Sequence, residues 1–343
     1  MRRLFLAPPL CYNEKKRRER DETKMKIVVM DGHALDPGDL GWQGFEALGE
    51  FEYYDRTPPQ LILPRMAGAG AVLVNKTPIT AATLAACPDL RYIGVLATGY
   101  NVVDTAAAAA RGIPVCNVPD YGTEAVAQFT FALLLELCHR VGDHSRGVHG
   151  GEWCQKTDFC YWNTPQRELA GLTFGVVGYG RIGRAAARIA RAFGMKALAY
   201  GPHLAPGPLE DGATAVTLEE LFAAADVVSL HCPLTAQNAG MIDRKAIAAM
   251  KPGVLLLNTA RGPLVNEADL AAALKSGRVA GAALDVVSAE PIRADNPLLG
   301  APNCILTPHM AWGAKAARQR LMDTAVENLR SFLAGRTVNA VNL

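Results

Sequence analysis

The chain has 343 residues, 50% of them hydrophobic and 20% charged, with 35 Lys plus Arg against 33 Asp plus Glu. That length corresponds to about two domains at roughly 150 residues each, and the composition excludes a disordered chain, a coiled coil or a collagen-like rod. A formal net charge of +2 leaves no nucleic-acid or membrane footprint, and no apolar run reaches the roughly 18 residues that suggest a membrane span.

Residues 1–24 include the mixed-charge run EKKRRERDETK, which has nothing to bury and reads as a disordered extension. Met25 then opens an apolar strand over 26–30. Further strands are expected over 71–75, 92–96, 114–117, 173–177, 196–200, 226–230, 253–258, 282–286 and 304–307. Between them lie stretches at helical period, among them 184–193 and 268–275. The run over 123–140 is apolar almost throughout and reads as a buried helix able to join two domains. Thr217 and Glu220 form a capping box ahead of a helix over 218–225, and an amphipathic helix over 316–333 closes the chain. Strand–helix alternation of this kind means parallel sheets covered on both faces. Eight cysteines are scattered without a C-x-x-C pair or a histidine-rich partner cluster, so they read as reduced thiols of a cytoplasmic protein with no metal site.

A phosphate cradle stands out in this pattern. Gly178, Gly180 and Gly183 form G-x-G-x-x-G directly after a strand and at the opening of a helix. The first glycine permits the tight turn, the second lets the backbone approach a pyrophosphate, and the third lets helix and strand pack closely. The helix N-terminus presents unpaired N–H groups to the phosphates, with Ile182 inside the fingerprint and Arg181 adding a charged donor. A carboxylate about 20 residues on usually binds the adenosine ribose. Gly201 stands in its place, so the charge that would repel a 2′-phosphate is missing and both NAD and NADP are admitted; alternatively, Gly201 is a plain turn and NAD binds less tightly.

Three polar features follow later strands: Asn258-Thr259-Ala260-Arg261-Gly262, Asp285 through Glu290-Pro291, and Thr307-Pro308-His309. A charge just past a buried strand is expensive unless it is paired or functional. Singly, each reads as a surface salt bridge or a satisfied loop residue. Together they suit hydride transfer to a 2-oxo acid, which needs a cation for the carboxylate and a proton for the carbonyl oxygen. Arg261 offers a planar fork, His309 is the natural acid–base group near neutral pH, and Glu290 steadies the charged imidazole. Asp285 is placed to bond a nicotinamide carboxamide.

On these stretches, together with His231-Cys232-Pro233-Leu234-Thr235, residues 25–343 resemble the D-isomer-specific 2-hydroxyacid dehydrogenases. The resemblance implies a Rossmann dinucleotide-binding domain over 123–309, inserted into a flavodoxin-like α/β substrate domain built from 25–122 and 310–343, with the active site in the cleft. It implies Arg261, Glu290 and His309 as the catalytic residues. It also implies cofactor contacts at Thr123, His231, Cys232, Pro233, Thr259 and Ala260, beside the fingerprint, Gly201 and Asp285. Lys76, Thr98 and Gly99 join Arg261 and His309 as substrate contacts, and a homodimer is implied. Gly201 departs from the family pattern, as does Gln128 where the family often has Glu.

Three further stretches, beginning at Asp31, Asn75 and Cys160, are similar to the glycerate dehydrogenase, or hydroxypyruvate reductase, branch. The expected reaction is therefore reduction of hydroxypyruvate or glyoxylate to D-glycerate or glycolate. A D-lactate-type reductase is the alternative within the class. A dinucleotide-sensing, corepressor-like binding protein is the alternative outside it, because a fold does not fix a function.

Overall fold

The structure, a computed structural model, describes residues 24–343. The expected extension over 1–24 lies outside them apart from Lys24, as does Cys11. The described chain forms two compact units, residues 24–121 with Lys315–Leu343, and Gly122–Ala314.

In the first unit the strands are β1 (Lys26–Val29), β2 (Glu50–Tyr53), β3 (Ala71–Val74), β4 (Tyr92–Val95) and β5 (Val115–Cys116). They form one parallel sheet in the order β2-β1-β3-β4-β5, the flavodoxin-like arrangement. β3 and β4 are buried at every residue, which is why they read as unbroken apolar runs. β2 escaped the sequence reading because it is an edge strand, Glu-Phe-Glu-Tyr, whose acids face water. The last helix, Lys315–Leu333, belongs to this unit, with Phe332 packed 5.0 Å from the buried ring of Tyr92. Its Arg318 reaches back to both Asp39 carboxylate oxygens at 2.7 Å and to the Leu35 carbonyl.

The second unit carries β6 (Thr173–Val177), β7 (Lys196–Tyr200), β8 (Gly207–Pro208), β9 (Thr214–Ala215), β10 (Val227–Leu230), β11 (Val254–Asn258), β12 (Val279–Leu284) and β13 (Cys304–Leu306). Their order is β13-β12-β11-β10-β6-β7-β9-β8, parallel except for the β8–β9 pair. Helix Arg181–Ala192 turns Ala185, Ala186, Ala187 and Ala190 inward, small residues that allow close packing. Helix Thr123–His139 lies in the same layer, its Phe131 stacked 5.4 Å from Phe174 of β6. The capping box forms with both reciprocal bonds, Thr217 N to Glu220 and Glu220 N to Thr217.

Several boundaries differ from expectation. β8 and β9 are two-residue edge strands, too short to leave a periodic signal. β12 begins at Val279 and stops at Leu284, so Asp285 lies beyond the strand rather than within it. Residues 310–314, expected with the substrate domain, pack with the second unit because Met310 and Ala311 donate their N–H groups to Asp285.

Candidate active site

Lateral register builds the site in the second unit. Val177 pairs with Leu230, Leu230 with Asn258, Asn258 with Leu284, and Leu284 with Leu306. The residues that follow these parallel strands therefore emerge along one sheet edge: Gly178, His231, Thr259, Asp285 and Thr307. Strand order reverses at β6, flanked by β7 on one side and β10 on the other. Ligands of open α/β sheets bind at such a reversal, outside the carboxyl ends of the strands.

The glycines have separable roles. Gly178 has φ +100°, and a Cβ there would lie 2.4 Å from the Cys232 backbone nitrogen. Gly183 is buried, and a Cβ on it would meet the Gly178 carbonyl oxygen at 2.2 Å, so helix and strand close up only on glycine. Gly180, the N-cap of helix Arg181–Ala192, has open space where its Cβ would be. That combination of a tight turn, a close helix and an exposed glycine at a helix N-terminus fits a dinucleotide pyrophosphate. Arg181 is exposed in the first helical turn, with Ile182 half-buried beside it. Gly201 follows β7 in a turn closed by the Leu204 N–H on its carbonyl.

Past β10, the His231 N–H donates to the Val177 carbonyl at 2.8 Å and its Nε2 meets Ser229 Oγ at 2.8 Å. Its Nδ1 is shielded from solvent without a hydrogen-bond partner in the protein. Burial pushes this imidazole down to about 4, so it is neutral at ordinary pH. An orphaned buried nitrogen at the reversal point is a further polar group available to a ligand. Cys232 and the exposed Pro233 continue this turn, which Asn238 ties by donating to the Pro233 carbonyl at 2.8 Å.

Asn258, fully buried at the end of β11, shapes the next turn by donating to the Arg261 carbonyl and accepting from the Ala260 N–H. Thr259 meets Thr130 of helix Thr123–His139 at 3.0 Å, and Thr123 opens that helix. Arg261 is exposed, its guanidinium turned onto the Ala260 carbonyl at 2.7 Å. Gly262 lies against the loop after β12 so closely that a Cβ would fall 1.9 Å from the Val287 carbonyl carbon.

Asp285 is 1% exposed, and a buried carboxylate is stable there only with donors. Its Oδ1 accepts from Thr307 Oγ1 and the Met310 N–H, and its Oδ2 from the Ala311 N–H. Beyond the role expected for it, Asp285 thus anchors the turn that carries His309. That turn holds His309 at φ +52°, uncommon for a non-glycine residue, while the Trp312 indole donates to the His309 carbonyl. His309 Nδ1 meets Glu290 Oε2 at 2.7 Å, within a charge-assisted range.

The first unit carries the other expected contacts. Lys76 is exposed just past β3, in a loop whose N–H groups at Asn75, Lys76 and Thr77 all donate to Asp31. Thr98 follows β4, its hydroxyl bonded to the Val118 carbonyl, with Gly99 next in the loop. Asp31 was missed as an organiser because an acid after a strand carries no periodic signal. Among the described residues no His, Cys, Asp and Glu cluster could hold a metal ion, and no helix is long and apolar enough to cross a membrane.

Comparison with known proteins agrees with the fold. Residues 131–311 match the family model for the D-isomer specific 2-hydroxyacid dehydrogenase NAD binding domain. The chain is 53% identical over 321 residues to a hydroxypyruvate reductase of Blautia hydrogenotrophica, covering 93% of this chain and all of the relative. It is 40% identical over 319 residues to a glycerate dehydrogenase of Methylorubrum extorquens, covering 92% of this chain and 98% of the relative. Among solved structures, the NADPH-dependent glyoxylate/hydroxypyruvate reductase of Sinorhizobium meliloti, in complex with NADP and malonate, superposes with a TM-score of 0.78 at 30% identity, covering 93% of this chain and 97% of that one. The chain belongs to the D-isomer-specific 2-hydroxyacid dehydrogenases. It is an oxidoreductase carrying that family's NAD-binding domain.

Proposed function

We propose that the protein reduces hydroxypyruvate or glyoxylate to D-glycerate or glycolate with NADH or NADPH. The bond of 2.7 Å between His309 Nδ1 and Glu290 Oε2 carries this reading. It occupies one ring nitrogen with a carboxylate and leaves the other to hold a transferable proton. The substrate class is supported by the hydroxypyruvate reductase and glycerate dehydrogenase relatives.

The residues present fit a bound dinucleotide. Gly178, Gly180, Arg181, Ile182 and Gly183 would hold the pyrophosphate, and Gly201 would adjoin the adenosine ribose. Thr123, His231, Cys232, Pro233, Thr259 and Ala260 would supply the remaining contacts. Asp285 would take the nicotinamide carboxamide through Oδ2, which accepts one protein donor and carries a second lone pair. When bound, the reduced nicotinamide supplies the hydride that the 2-oxo carbon accepts. Arg261 holds the substrate carboxylate by its fork, with Lys76, Thr98 and Gly99 of the first unit proposed as further carboxylate contacts. His309 gives its proton to the former carbonyl oxygen, and Glu290 stabilises the positive ring before transfer. At Gly201 no carboxylate opposes a 2′-phosphate, which supports use of both cofactors.

The functional unit is proposed to be a homodimer in the cytoplasm. Phe159 and Trp162 are 87% and 65% exposed, with Val141, Val148 and Trp153 exposed in the same segment; large apolar side chains left exposed along one segment suit a second copy of the chain. Light scattering should report a dimer, and Phe159→Asp with Trp162→Ser should give a monomer. Activity is tested by steady-state oxidation of NADH and NADPH with hydroxypyruvate, glyoxylate, pyruvate and phenylpyruvate. The highest kcat/KM on hydroxypyruvate or glyoxylate supports the proposal; turnover of pyruvate alone moves the protein to the D-lactate type.

A further inference from the structure

We infer that Glu267 is a positioning residue that seats the Glu290–His309 pair by clamping both ends of the loop carrying Glu290. Its Oε1 accepts the Ser288 N–H at 2.7 Å, and its Oε2 accepts the Ser288 hydroxyl at 2.7 Å and the Asn296 side-chain amide at 2.9 Å. Ser288 and Asn296 lie on either side of Glu290, so one carboxylate closes the loop across its base. Asn296 is buried and its Oδ1 accepts the Leu298 N–H, which makes the far end of the clamp rigid.

The near end leads directly to the proton donor. The Val287 N–H, adjacent to Ser288, donates to Glu290 Oε1 at 3.3 Å, while Glu290 Oε2 holds His309 Nδ1. Gly262, in the turn after Arg261, leaves no room for a Cβ against the Val287 carbonyl and the Ser288 nitrogen, so the Arg261 turn packs close to the same point. Glu267 is the first residue of helix Glu267–Lys275, where an acid is favoured by the helix dipole alone. That general preference leaves the carboxylate free to face water. Here both oxygens instead reach residues 21 and 29 positions away, a direction the dipole does not require.

This inference rests on the acid–base reading of His309 and Glu290, and its test separates the two. In the full-length protein, Glu267→Ala should lower kcat for hydroxypyruvate about tenfold through misplacement of the dyad, with KM changed by less than about twofold. Glu267→Gln, which keeps one acceptor oxygen, should recover part of that loss. In a Glu290→Gln background, Glu267→Ala should lower kcat by less than about twofold, because residues acting as a unit are not additive. The ring resonances of His309, observed by NMR without substrate or cofactor, should move in Glu267→Ala and toward their positions in Glu290→Gln. Equal losses in both backgrounds, or an unmoved His309 signal, would overturn the positioning role. If His309→Ala keeps full kcat, the acid–base reading falls, while the NMR result still decides whether Glu267 seats the pair.

Discussion

Glu290 Oε2 and His309 Nδ1 stand 2.7 Å apart although 19 positions separate them in the chain. One sits in the loop after β12 and the other in the turn after β13. The pairing of Leu284 with Leu306 brings those two strand ends side by side. The dyad is therefore a product of register: a one-residue slip of β13 would turn its alternating side chains to the other face and carry His309 away from the carboxylate.

Removing the imidazole should abolish most turnover. His309→Asn is the better test than alanine, because asparagine tolerates the left-handed backbone found at φ +52°. Its kcat should fall about 10²- to 10⁴-fold, the usual worth of a positioned acid or base. The melting temperature should stay near that of the parent, so thermal denaturation separates chemistry from folding.

Arg261 should matter by shape as well as charge. Arg261→Lys keeps the charge and loses the planar fork, and Arg261→Ala loses both. Hydrogen bonds to charged groups are worth about 1.5–3 kcal/mol, so kcat/KM for the 2-oxo acid should fall roughly 10- to 100-fold in the alanine variant. The lysine variant should recover only part of that. Near-parental kcat/KM in Arg261→Ala would remove Arg261 from the carboxylate.

Two glycines should fail in different ways. Gly178→Ala meets the Cys232 backbone at 2.4 Å in a left-handed conformation, so both the melting temperature and dinucleotide binding should drop. Gly180→Ala meets no protein atom within 4 Å, so stability should hold while affinity for NADH and NADPH falls. Titration of nicotinamide fluorescence alongside thermal melts reads both effects. An unchanged dissociation constant in Gly180→Ala would place the pyrophosphate elsewhere.

His231 should give the ligand-free protein an acid-sensitive stability. Burial lowers this imidazole from 6.5 to about 4. As pH falls through 6.5 the unfolded chain takes up a proton that the folded chain refuses until about 4. The unfolded state binds more protons in that window, so this contribution is fully present above it and is lost progressively toward its lower limit. His231→Gln should flatten the melting temperature against pH between those limits relative to the parent. Parallel curves would show that the ring is not held neutral.

Much of this was legible in the residues. G-x-G-x-x-G after an apolar strand announced the cradle because each glycine answers a local steric demand. Buried strands such as β3, β4 and β11 were visible because both faces are covered and their positions are almost all apolar, Asn258 at the end of β11 being the polar exception. Edge strands β2, β8 and β9 were not, since the alternation of β2 runs over only four residues and β8 and β9 have two residues each, too few to stand out. Asp285 was legible as a polar residue in a costly place, while its donors Thr307, Met310 and Ala311 were not, because they come from the next strand's turn. The role of Glu267 left no trace in the sequence, because its partners lie 21 and 29 positions away.

The sequence by itself determined the kinds of group available: three glycines for phosphates, a guanidinium, an imidazole and its carboxylate. Those follow from residue chemistry and local backbone geometry, which neighbours in sequence suffice to specify. Only the tertiary structure decided which groups meet. The lateral pairing of β6, β10, β11, β12 and β13 lines up their ends on one edge. The reach of Glu267 to Ser288 and Asn296 likewise depends on separate segments meeting in space, which no local pattern encodes.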